Sequence, residues 1–256
     1  MALTPLAATL VSSAKSAAVS KVQAFVKQKV IERWSRYRAE RFFESFLDEV
    51  AKQADDRYQS ASLDDLLDRL DAEDESTSTL FDAYRRVCLS ASRDVGPRII
   101  GLLTAVVVLE NRSATGGEER MFQAAELLTD ADFAELVEYT RAKQEKLSTE
   151  QGEQFAQHGY VSYVVDERVD EVKTTQGHFA SVSPPNLGEV LGIWGLRLNA
   201  LCLIYEDRRE RFRIENADSE RYRDEDMHVR TITDYVVTTR EYHRLVALAE
   251  RAIASL

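Results

Sequence analysis

Two groups of residues in this sequence have the types and spacing of a binding surface. The first is Lys21, Phe25, Lys27, Lys29, Arg33, Trp34, Arg36 and Tyr37, where cations and aromatic rings interleave near the N-terminus. On a helix these positions give a basic flank beside a stripe that ends in aromatic rings. Such a helix can lie in a membrane interface, rings at headgroup depth and cations toward anionic lipid. It can equally dock on an acidic protein surface, including the chain's own segment 44–76. The second group is Arg208, Arg209, Arg211 and Arg213. Guanidinium groups at that density suit the phosphates of a nucleic acid.

The spacings that signal a catalytic or metal centre do not occur in the sequence. His158, His178, His228 and His243 stand singly, whereas a metal site on one helix or turn needs a second His or Cys three or four positions away. The glycines form neither a phosphate-cradling loop nor a dinucleotide fingerprint, and there is no G-x-S-x-G elbow. Carboxylates are so frequent that neighbours such as Asp64, Asp65 and Asp68 read as a solvated acidic face. The expectation is therefore no catalytic residue, no metal and no cofactor. Cys88 and Cys202 sit in apolar surroundings and read as two buried thiols of a reducing compartment, which favours the cytoplasm. The longest apolar run, 99–109, is far short of the roughly 20 residues that span a bilayer.

Charge is divided unevenly. The whole chain of 256 residues carries −11, yet residues 1–42 hold eight basic side chains against Glu32 and Glu40, a net +6, which leaves −17 for residues 43–256. Residues 44–76 alone contain twelve acids against Lys52, Arg57 and Arg69. A basic start on an acidic protein calls for a negative counter-surface.

The elements that must position these residues are mostly helical. With 44% hydrophobic and 30% charged residues but only ten Gly and four Pro, the composition is that of an ordered, helix-rich chain. Thr4 and Pro5 form a helix start, and Leu6, Leu10, Ala14, Ala18, Val22, Val26, Val30, Trp34 and Tyr37 recur every three or four residues. No Gly or Pro interrupts 6–53, which predicts one long or once-bent helix. Ser62 with Asp65 caps a short helix, and the acidic stretch 71–79 reads as a linker. Further helices are expected over Leu80 to Ala91 and from Asp94, with Pro97 in its first turn, to Leu109. Capping boxes at Thr115/Glu118, Thr129/Asp132 and Ser148/Gln151 predict helices near 118–128, 131–146 and 149–157. The stretch 160–169 fits strand or helix, 173–186 is a loop, and Asn186 caps a helix over 187–208. Residues 211–214 and 229–237 suggest a hairpin, after which Thr238 and Glu241 cap a last helix through Tyr242, Leu245, Leu248 and Ile253. The fold class is mainly α: a helical bundle with a long N-terminal helix (1–54), a central part (55–158) and a small α+β part (159–256).

The stretch "LRLNALCLIYEDR", the hairpin and "YVVTTREYHRL" resemble the recognition helix, wing and closing helix of winged-helix domains, with Tyr235, Thr238 and Tyr242 matching the end of the second wing strand. That resemblance implies DNA binding through Arg208, Arg209, Arg211 and Arg213, although the acidic hairpin tip departs from a DNA-binding wing and fits an interaction module better. The order of a basic amphipathic start, a helical bundle containing "SASRDVGPRIIGLLTAVVVL" and a winged-helix-like end resembles bacterial Abi-alpha (abortive infection) proteins. It implies a setting of phage (antiviral) defence or stress, and transfers no catalytic residue. The leading expectation is a cytoplasmic interaction protein, reaching the inner membrane face through its basic helix and working by protein contacts or self-association. A winged-helix transcriptional regulator is the alternative, and an enzyme of unfamiliar type stands third.

Overall fold

The computed structural model describes residues 36–57, 74–110, 112–150, 160–173, 179–215 and 227–256. Among them are seven helices and one three-stranded antiparallel sheet, so the protein is mainly α with a small α+β part toward the C-terminus. The expected helix start at Thr4 and Pro5 and the short helix capped by Ser62 lie outside the described residues. Two compact units are formed, one of residues 1–137 with 245–256, the other of residues 138–244.

In the first unit, helix α1 (Arg36–Arg57) buries Phe42, Phe43, Phe46, Leu47 and Val50, a three-four spacing that makes one apolar face. It packs on α3 (Val95–Leu109), which is apolar nearly all round and buried along almost its whole length. Two glycines let neighbouring backbones close on α3. A Cβ at Gly101 would stand 2.4 Å from the Phe42 carbonyl oxygen, and one at Gly96 2.4 Å from that of Ala125 in α4 (Gly116–Leu127).

Helix α2 (Asp74–Leu89) begins inside the stretch read as a linker, because Asp74 and Glu75 suit the positive end of a helix dipole. Asp94 holds the N-cap position of α3 without capping it; the work is done from a distance. The Asp130 carboxylate accepts the backbone N–H of Arg93, Asp94 and Val95 and the Ser92 hydroxyl, while Ser92 Oγ accepts from Gly96 N. Burial pushes the Asp130 carboxyl up, and these four donors outweigh it, so the net shift is downward.

The boxes at Thr115/Glu118 and Thr129/Asp132 form as expected, opening α4 and α5 (Asp130–Glu150). The expected helix over 149–157, with Gln151 of its box, lies outside the described residues beyond Glu150. The run from Ala142 to Lys146 is built of good helix formers, and α5 continues through Ser148 and Thr149 to Glu150.

The second unit holds β1 (Val161–Lys173), α6 (Leu187–Ala200), β2 (Ile204–Glu215) and β3 (Met227–Thr238), ahead of the terminal helix α7 (Arg240–Ala254). The sheet order is β1-β3-β2, with a bulge between Val164 and Asp166. The ambiguous stretch 160–169 is thus strand, and Asn186 caps α6 as expected by accepting from Gly188 N.

Helix α6 stops eight residues before the expected end at 208. Leu203 N donates to Leu198 O and Cys202 N to Asn199 O, a Schellman ending that places Cys202 at φ 54°, where glycine is usual. Leu198 and Leu203, the apolar pair of that motif, are both fully buried. Cys202 itself is exposed and Cys88 half-buried, which corrects the expectation of two buried thiols. The cap of α7 also moves by one residue. Thr239 Oγ1 accepts from Tyr242 N, while Thr238 Oγ1 donates to Val161 O across the sheet.

Candidate interaction surface

Side chains alternate between the faces of a strand, so the register of the sheet decides what each face presents. One face is covered. Tyr163, Ile204, Ile232 and Val236 are buried there, and α6 packs along β2, burying Leu187, Leu191, Trp194 and Leu198 at helical spacing. Gly192 at φ 74° kinks α6 within that run. Tyr139 of α5 meets Trp194 and Tyr163 edge-on at 5.6 Å and 6.3 Å, and the hydroxyls of Thr140 and Tyr242 bond at 2.7 Å. Segment 179–186 crosses the same face. Arg230 Nη2 donates to Ala180 O and to Asp170, and its guanidinium lies 4.8 Å from the Phe179 ring.

Arg208 belongs to this covered face. It stands opposite Asp234, gives it two hydrogen bonds of 2.7 Å and 3.0 Å, and donates a third to Val182 O. A cleft of about 220 Å³ beside the pair is walled by Pro184, Pro185, Leu187 and Val190.

Arg209, Arg211 and Arg213 point the other way. In register across the sheet, the rows on this second face are Arg209–Thr233–Glu167, Arg211–Thr231–Val169 and Arg213–Val229–Glu171. Arg211, Arg213, Glu167 and Glu171 are exposed, and so are Val169 (52%), Val164 (45%) and Tyr205 (39%). Arg209 is half-buried, stacked 4.7 Å over Tyr235 and bonded to Asp207. The result is a face whose β2 edge carries three arginines beside Asp207 and whose β1 edge carries two glutamates, with Val164, Val169 and Tyr205 exposed on it and Ser162 and Val229 buried.

The four arginines proposed from sequence are therefore not one cluster. All four lie in strand β2, whereas Arg208 was expected at the end of a helix, and the two-residue period sets Arg208 in a closed salt bridge on one face and the other three on the opposite face. Of the N-terminal group, Lys21, Phe25, Lys27, Lys29, Arg33 and Trp34 lie outside the described residues; Arg36 opens α1. The Tyr37 ring sits between the guanidiniums of Arg41 (4.8 Å) and Arg93 (4.7 Å), and its hydroxyl donates to Asp94. Arg38 donates to Cys88 O. The described end of the aromatic stripe is thus engaged within the first unit.

Sequence reasoning missed Val164, Glu167, Val169 and Glu171. Their signal was the alternation in "YVSYVVDERVDEVK", which reads as one half-exposed strand once a sheet partner is known. Among the described residues, no group of His, Cys, Asp and Glu is arranged to hold a metal, and no helix is long and apolar enough to cross a membrane. In comparisons with protein-family models, curated proteins and solved structures, nothing matches this chain.

Proposed function

We propose that this chain is an interaction protein whose contact surface is the open face of the sheet. The observation that carries this reading is the contrast between the two faces. One is packed by α6 and segment 179–186; the other leaves Val164, Val169 and Tyr205 in water between edges of opposite charge. Apolar side chains rimmed by charge are the pattern of a protein contact, while a purely solvated sheet face would be polar throughout. The double variant Val164→Asp/Val169→Asp tests it. Folding, followed by circular dichroism, should be unchanged, and chemical cross-links formed by the native chain in cell extract should disappear; cross-links that persist unaltered refute the reading.

The basic N-terminal segment belongs to the same proposal as a second contact, made with an anionic membrane surface. Its support is the +6 charge of residues 1–42 on a chain of −11. Deleting residues 2–33 should abolish flotation with anionic vesicles, and flotation that survives the deletion removes this part. The setting proposed, from the layout resemblance to Abi-alpha proteins, is phage defence or stress, with the protein located in the cytoplasm and at the inner membrane face. A nucleic-acid reading is favoured by a single observation, the alignment of Arg209, Arg211 and Arg213 on one face. It predicts DNA binding that falls steeply with salt and vanishes when the three become Ser; an empty gel shift at low salt disposes of it.

A further inference from the structure

We infer that the occupant of the open sheet face is a second copy of this chain, docked face to face about a two-fold axis parallel to β3. The inference rests on the reading of that face as a protein contact and names its partner.

The argument begins with the rows. On this face β2 carries Arg209, Arg211 and Arg213, the central β3 carries Thr233, Thr231 and Val229, and β1 carries Glu167, Val169 and Glu171, each set in register. A two-fold axis along β3 keeps every residue at its height on the strand and exchanges the two edges. Arg209 then faces Glu167 of the second copy, Arg213 faces its Glu171, and Arg211 lies over its Val169. Symmetry repeats each contact, so four ion pairs form around Thr231 and Thr233, with Val229 already buried beneath its neighbours. An axis across the strands would instead set arginine over arginine and glutamate over glutamate, which is repulsive. The charges therefore choose both the partner and the axis.

Distances permit it. Facing sheets stack about 10 Å apart, a gap that an extended Arg213 and an extended Glu171 close between them, whereas Arg209 reaches Glu167 by exchanging its bond to Asp207. Further along, Tyr205 comes over Ser162 of the second copy, a large side chain over a small one. The alternative route to self-association, strand addition at an edge, is obstructed on both sides. The β1 edge is broken by its bulge, with Lys143 Nζ donating to Val164 O, and the β2 edge is lined by charged side chains.

Charge also argues against a polyanion here. Glu167 and Glu171 share the face with the arginines, and the chain as a whole is at −11, so a phosphate backbone laid on the sheet meets both signs. A second copy meets Arg209 and Arg213 with Glu167 and Glu171. Twelve-residue strands at about 3.3 Å per residue, three abreast at about 4.8 Å, offer roughly 570 Å² per copy, at the small end for a specific interface. The dimer should be reversible and dependent on concentration.

The test is a charge exchange read by sedimentation velocity on the full chain. The native protein should shift from monomer to dimer as concentration rises. Arg209→Glu/Arg213→Glu and Glu167→Arg/Glu171→Arg should each weaken self-association at least about tenfold. An equimolar mixture of the two variants should restore the dimer, because every reversed charge again meets its opposite; restoration also shows that both variants fold. A native chain that stays monomeric, or a mixture that stays as weak as its components, overturns the inference. If the native chain is monomeric while Val164→Asp/Val169→Asp still abolishes cross-links to other proteins, the face is a contact surface for something else and only the second copy is wrong. If neither measurement responds, both readings fall. DNA that binds the native chain and not Arg209→Glu/Arg213→Glu, with no dimer present, assigns the face to nucleic acid and likewise overturns the inference.

Discussion

In the first unit Asp130 and Glu118 spend their carboxylates on the protein itself: one gathers three backbone amides and a hydroxyl at the start of α3, the other holds Arg112 and completes the Thr115 capping box. In the sheet unit Glu167 and Glu171 stand in water, in register with arginines two strands away. Both pairs of acids belong to one acidic chain, and they differ in what surrounds them. The first pair is next to helix ends whose amides need acceptors. The second is on a sheet face where the glutamates themselves and Val169 between them are exposed. An acid-rich composition therefore says little about function until each carboxylate has been assigned to a backbone, a side chain or the solvent.

The largest effect that should sharpen this contrast is steric. Gly101→Leu must push α1 off α3 because the nearest atom to the new side chain is backbone, and it should cost about 3 kcal/mol or more in urea unfolding. Asp130→Ala leaves three amides at the start of α3 without their acceptor and should cost about 2–3 kcal/mol by the same measurement.

Acid titration separates the two units. Hydrogen bonds from Arg112 hold the Glu118 carboxyl near 2, against an ordinary 4.5. That stabilisation is complete above pH 4.5 and is lost as pH falls toward 2; discounted for the partly exposed Arg112, it is worth about 2 kcal/mol. His243, in the sheet unit, is shifted down from 6.5 by burial, so its contribution is present above 6.5 and declines as the unfolded chain takes up a proton below that. Hydrogen exchange as a function of pH should show the sheet unit losing protection at milder acidity than the bundle. The reverse order breaks the comparison.

Two smaller effects test the sheet unit directly. Cys202→Gly removes the penalty of a left-handed residue and should raise stability by about 1 kcal/mol. Val169→Thr on the open face should change it by less than about 0.5 kcal/mol, while a similar change at the covered Ile232 should cost clearly more.

Much of the helical structure was legible because its signals are local. The boxes at Thr115 and Thr129, the cap at Asn186 and the apolar run of α3 are each contained in a few adjacent residues. What was not legible depends on distant partners. Asp94 looks like a cap in sequence, yet the acceptor is Asp130, thirty-six positions away. The end of α6 was hidden because its left-handed position holds Cys202 in place of the glycine that marks such endings. The candidate face was concealed most completely. Arg208 to Arg213 look like one patch until the strand period divides them, and the glutamates that complete the rows come from β1, more than thirty residues earlier in the chain.

The adjacency of Arg208 and Arg209 has its own consequence for how β2 finds its place. A slip of the strand by one position would set Arg209 opposite Asp234, so that ion pair alone does not fix the frame. The frame is kept at the foot of the strand, where Leu203 is buried and its carbonyl accepts from both the amide and the hydroxyl of Thr239, with Ile204 buried beside it. An insertion or deletion of one residue just beyond Arg209 would invert the later side chains of β2 and erase the arginine row while that foot stayed in place.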